Sequence, residues 1–219
     1  LHTAVTSAAR DQARLQSVAG RHVHVVYFDI VLAAVDSLND RAWDDLTHAW
    51  VQLSRATGAL AALPHALSFR SWLEVLQGRL GSATSHLAET EDVVSLTRSR
   101  GLLGAPAPAQ VLRDAWLADE EATRTGARRM MQDAHERGAG LGIDHAYAAL
   151  CVLELGAGRY DAALRAARHI FDHDSIVVGT LVLPDLVEAA GRCGDMDIAA
   201  QALARLSERA SASGTAWAR

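Results

Sequence analysis

The feature that most constrains this chain is that it repeats itself. LEVLQGRLGSA, from Leu73 to Ala83, returns as LELGAGRYDAA, from Leu153 to Ala163, matching at Leu, Glu, an aliphatic, Gly, Arg, a large apolar residue and Ala. The turn at Gly78 thus recurs at Gly158, and GDMDIA, Gly194 to Ala199, repeats it once more. Weaker copies begin at Asn39 and Ala118, so five turns fall at 39, 78, 118, 158 and 194. A period of about 40 residues is that of a helical-hairpin solenoid, in which each unit buries one face against the next. Proline occurs only at Pro64, Pro106, Pro108 and Pro184, and alternating β-branched residues are scarce, so helix is the default throughout.

Each unit then reads as an A helix, a turn and a B helix. A helices are expected at 24–38, 59–77, 106–117, 142–156 and 176–191, with a further helix near 3–18 and an inter-repeat loop from Gly101 to Pro108. In the fourth unit Tyr160, Ala163, Leu164, Ala167, Ile170 and Phe171 form one apolar stripe at helical spacing. Small residues at Ala83, Ala163 and Ala199 let each B helix approach its A helix opposite Ser71, Cys151 and Val187, which makes Cys151 a core residue. The expected fold is all-α: a right-handed superhelix of antiparallel helix pairs, about five repeats forming a single domain over residues 1–219.

Composition excludes several functions. With 21 basic against 26 acidic residues the net charge is −5, which repels a phosphate backbone, so nucleic acid is not expected as a direct partner. Every basic residue is Arg, which removes the P-loop lysine, the Schiff-base lysine and the Ser-Lys dyad. No apolar run approaches the roughly 20 residues of a bilayer-spanning helix, so no membrane is expected. Cys151 and Cys193 make no C-x-x-C pair, which favours a reducing cytoplasm. Leu1 is not an initiator Met, and the chain is expected to be a fragment of something longer.

The phrases TGALAALPHALSFRSWLEVLQGRLGSA, YAALCVLELGAGRYDAALRAARH and LVLPDLVEAAGRCGDMDIAAQALARLSERASASGTAWAR resemble the central helical, tetratricopeptide-like region of large LuxR-family bacterial transcriptional regulators. The likeness runs through most of residues 22 to 219, and the Lys-free, Ala- and Arg-rich composition resembles actinobacterial proteins. In that family a P-loop ATPase, a helical-repeat region and a helix-turn-helix act as a switch, so the resemblance implies a ligand-sensing or protein-interaction module. The ATPase and DNA-binding domains of the same parent chain are then its partners. No G-x-x-x-x-G-K-[ST] loop is present, so ATP hydrolysis and operator binding are expected elsewhere in the parent. The family supplies no catalytic motif for this region, and neither enzyme activity nor a cofactor is expected.

Candidate sites follow from the repeat. A-helix positions thirteen, ten, six and three before each turn share one face, expected to line a concave groove. That face carries His65, Ser68, Trp72 and Val75 in the second unit, and His145, Ala148, Val152 and Leu155 in the fourth. Asp29, Asp36 and Glu188 join it from the first and fifth. A protein segment or small-molecule effector is expected in the groove between Asp29, His65, Trp72 and His145. Trp43 and Trp50, seven apart, are expected in the core, while Trp217 is expected near a cut edge that favours self-association. No metal is expected. The alternative reading, a metal-binding protein or metal-dependent hydrolase, rests on His169 and His173 at i, i+4 with Asp172 and Asp174 beside them. A His at a helix C-terminus is otherwise ordinary, because its charge complements the dipole.

Overall fold

The computed structural model describes residues 21–97 and 107–218. The expected helix at 3–18, and most of the expected loop from Gly101, lie outside them. Among the described residues eleven helices follow in chain order: α1 Arg21–Asp36, α2 Asp40–Ala56, α3 Leu63–Leu76, α4 Leu80–Thr97, α5 Pro108–Trp116, α6 Glu120–Arg137, α7 Gly140–Gly156, α8 Tyr160–Asp172, α9 Val178–Leu181, α10 Leu183–Cys193 and α11 Met196–Ser213. There is no strand among them. The fold is all-α, built from helices that pack against their neighbours in sequence, α1 with α2, α2 with α3 and α3 with α4, then α5 with α6, α6 with α7 and α7 with α8, as the repeat requires. Among the described residues two compact units form, one of residues 21–97 with 213–218, the other of residues 107–212.

The hairpin turns share one mechanism. Leu38, Gly78, Ala118, Gly158 and Gly194 all take left-handed φ, between 51° and 78°. The residue after each donates its N–H to the carbonyl five positions back: Asn39 to Ala34, Arg79 to Glu74, Asp119 to Asp114, Arg159 to Glu154 and Asp195 to Ala190, at 2.8 to 3.0 Å. This is the Schellman termination, which satisfies carbonyls the helix leaves open. In the first unit the left-handed residue is Leu38, one before the expected Asn39, and Asn39 instead caps α2 by accepting from the Ala42 N–H at 3.1 Å. The left-handed positions 38, 78, 118 and 158 are therefore evenly spaced, and only the step to 194 is shorter.

The shorter step has a local cause. α8 is only 13 residues long, and the expected A helix at 176–191 is broken into α9 and α10 at Val182. Pro184 lacks the N–H that a continuous helix needs but is favourable in the first turn of a new one.

The core of the first unit is aromatic. Trp43 and Trp72 meet edge-on at 5.2 Å, and Phe69 lies 6.3 Å from both Trp50 and Trp72. Trp43 is fully buried and donates its indole N–H to the Phe69 carbonyl at 3.1 Å, so burial costs it no hydrogen bond. Trp217 returns to this cluster, 6.4 Å from Trp43, and the Thr215 hydroxyl donates to the Leu38 carbonyl at 2.7 Å. The core of the second unit is aliphatic, with Ala163, Ala167 and Ile170 from the expected stripe fully buried, as is Cys151.

The Glu shared by the two best repeats is structural. Glu74 and Glu154, four positions before the left-handed glycine, are 2% and 5% exposed. Buried carboxylates need partners. Glu74 accepts from the Ser82 hydroxyl at 2.8 Å and pairs with His86 at 2.9 Å and Arg70 at 3.6 Å. Glu154 is held by Arg124 at 2.5 Å and by Arg159. The matched Arg79 turns instead to Asp44, 3.7 Å away.

Candidate functional site

The expected groove residues divide between the two units. In the first, Asp29 on α1 is exposed, and His65 and Ser68 on α3 are half-buried. Trp72 is only 5% exposed and belongs to the aromatic core, which corrects its placement on an open face. The reason is that α3 packs against α2 as well as α4, so its face away from α4 is covered rather than free. Val75, on the same face, is likewise buried. In the second unit His145 is 6% exposed, its Nδ1 2.7 Å from the Leu141 carbonyl, and it too is a packed residue. Burial holds its imidazole below the ordinary histidine pKa. Glu188 is exposed and pairs with Arg192 at 3.5 Å, one helical turn on.

Of these residues His65 lines a sizeable cavity. Within the first unit, α1, the C-terminal half of α2 and the turn from Gly58 to Ala62 line an open cleft of about 690 Å³ against the start of α3. Its walls are Val25, Phe28, Trp50 and Leu60, with His24 and His65 as the polar side chains. Val25 and Leu60 are 61% and 50% exposed and form an apolar rim. The Trp50 indole N–H donates to His24 Nδ1 at 3.1 Å. A neutral His24 that accepts at Nδ1 carries its proton on Nε2, and so remains a donor there. Burial holds His24 below the ordinary histidine pKa. The same cause acts on His65, aided by the neighbouring His24 and opposed by hydrogen bonds to the backbone at Ala61 and Ala62. Two neutral imidazoles among apolar walls suit an uncharged, largely apolar molecule carrying a hydrogen-bonding group. Sequence reasoning missed His24 and Trp50 as site residues. They flank Leu38 at nearly equal distances along the chain, and so come opposite each other when the hairpin folds about that turn.

In the second unit His169 and His173 do share a cluster, but not with their sequence neighbours. Asp172 pairs with Arg168 at 3.7 Å, and Asp174 with Arg205 and Arg209 at 3.3 and 2.6 Å. The carboxylate that reaches the histidines is Asp144, on α7 and 6% exposed. Its Oδ1 lies 3.1 Å from His173 Nε2 and 3.9 Å from His169 Nε2, while Oδ2 accepts from the Ser175 hydroxyl at 2.6 Å. The Tyr147 ring lies against His169, tilted 33° to it with 4.1 Å between centroids. The same hairpin rule finds this set, since Asp144 and His173 flank the left-handed Gly158 almost symmetrically.

Cys151 is buried, and burial with the nearby carboxylates pushes its thiol well above the ordinary range, consistent with an inert core residue. No helix among the described residues is long and apolar enough to cross a membrane. No protein-family model matches the chain, and no curated protein or solved structure matches it either.

Proposed function

We propose that this chain is a non-catalytic binding module, a helical-repeat array that takes an uncharged apolar molecule, or an apolar side chain of a partner segment, in the cavity between His24, Trp50 and His65. The observation that carries the reading is that cavity: about 690 Å³, apolar-walled, with two imidazoles kept neutral by burial. Volumes of roughly 300–1,000 Å³ with a few placed polar groups are those of small-molecule sites. The role of sensor in a cytoplasmic LuxR-family regulator is proposed with it, and rests on the phrase-level resemblance of residues 22 to 219. In such a parent, occupancy of the cavity by an effector biases the ATPase and DNA-binding parts.

The test uses 2-naphthol, an uncharged aromatic body with one hydroxyl, followed by its own fluorescence. Saturable binding is expected, and is lost in Ala61→Trp, which places a large ring on the exposed cavity wall without touching the core. Equal binding by the variant would show that the probe sits elsewhere, and the reading would fail.

A further inference from the structure

The second unit carries a different chemistry, independent of the cavity. Ligand atoms of Asp144, His169 and His173 all lie within 4.8 Å of one another. In a tetrahedral zinc site, bonds of about 2.0–2.2 Å put ligand atoms roughly 3.4 Å apart. The Asp144 to His173 separation is already 3.1 Å and that to His169 is 3.9 Å. Small rotations of the imidazoles close the remainder, and both rings have room to make them, being 43% and 49% exposed at the side chain.

The carboxylate, by contrast, is fixed. Asp144 is buried, and the Ser175 hydroxyl holds the oxygen that the histidines do not approach, the outer-shell support that orients a ligating carboxylate. The Tyr147 ring packs against His169, tilted 33° to the imidazole. The segment that brings Ser175 into place is strained. Val177, a β-branched residue, sits at φ 72°, ψ −61°, with the Val178 N–H bonded back to the Ile176 carbonyl at 2.8 Å. This is the γ-turn geometry that side chains disfavour.

We propose that Asp144, His169 and His173 bind one divalent transition-metal ion of the zinc class, with Ser175 as a positioning residue and the solvent side open to water. Two imidazoles and one carboxylate suit zinc or cobalt better than calcium or magnesium, which prefer oxygen ligands throughout.

The test is titration of the full chain with Co²⁺, read as visible d–d absorption, and with Zn²⁺ in competition. One equivalent is expected to bind with the absorption of a low-coordinate nitrogen–oxygen site. His169→Ala and His173→Ala are exposed changes that leave helicity intact, and each should weaken binding by about 100-fold or more, with Ser175→Ala weakening it about 10-fold. His48→Ala, an exposed histidine of the other unit, should change nothing. Absence of saturable binding below about 1 mM metal would reduce the cluster to a His–Asp ion pair. Binding that survives the double His169→Ala, His173→Ala variant would place the metal elsewhere. Either result overturns the proposal, and neither bears on 2-naphthol binding in the first unit.

Discussion

The turns of the second unit supply a stability experiment whose sign is set in advance by backbone geometry. Ala118 and Gly158 occupy equivalent positions at φ 56° and 70°. An L-residue held in the left-handed region costs about 1–2 kcal/mol. Against this, replacing Gly by Ala narrows the unfolded ensemble and returns about 0.4–1 kcal/mol. A Cβ added at Gly158 meets nothing within 4 Å, so no packing contribution complicates the sum. Gly158→Ala should therefore destabilise by about 1 kcal/mol, and Ala118→Gly should stabilise by about 0.5–1 kcal/mol, because exposed Ala118 has little packing to lose. Leu38→Gly reverses the sign at a third equivalent position, since Leu38 is 8% exposed and its truncation removes about 2 kcal/mol or more of burial. The assay is urea unfolding followed by far-UV circular dichroism, comparing midpoints at unchanged slope. Residues 118 and 158 belong to the same compact unit, so they report on one transition. A clear loss of stability in Ala118→Gly would mean that Ala118 is not left-handed, and the repeat ruler would break there.

Two further outcomes follow from burial. Trp72→Ala should cost about 3–5 kcal/mol in the same unfolding assay, as a large buried aromatic in contact with Trp43 and Phe69; a change under about 1 kcal/mol would return Trp72 to an open groove. His24, His65 and His145 all have folded-state pKa values depressed below 6.5 by burial, so the unfolded chain binds more protons in the window below that value. Stability from these groups is complete above about pH 6.5 and falls as the pH drops through their folded values, so midpoints measured from about pH 7.5 to 5 should decline. The decline should shrink in His65→Gln, and an identical pH profile in that variant would remove His65 from the account.

What was legible in the sequence is whatever depends on local periodicity. Helix content, the five turns and the burial of Trp43, Trp50 and Cys151 all follow from spacing, because a Schellman turn needs a residue tolerant of left-handed φ and a helix needs one apolar face. The turn at Asn39 is displaced by one position because Leu38, not a glycine, takes the left-handed conformation there. The sites were legible only in part. The groove assigned to His65, Trp72 and His145 treats each A helix as covered on one side, whereas α3 is covered on two, and only packing between hairpins decides that. His24 beside Trp50, and Asp144 beside His173, are separated by 26 and 29 residues, and no short motif joins them. They meet because antiparallel helices fold about a turn nearly equidistant from both partners. The turn positions are written in the sequence, but which side chains then face each other across the hairpin depends on helix rotation and crossing, which tertiary packing sets.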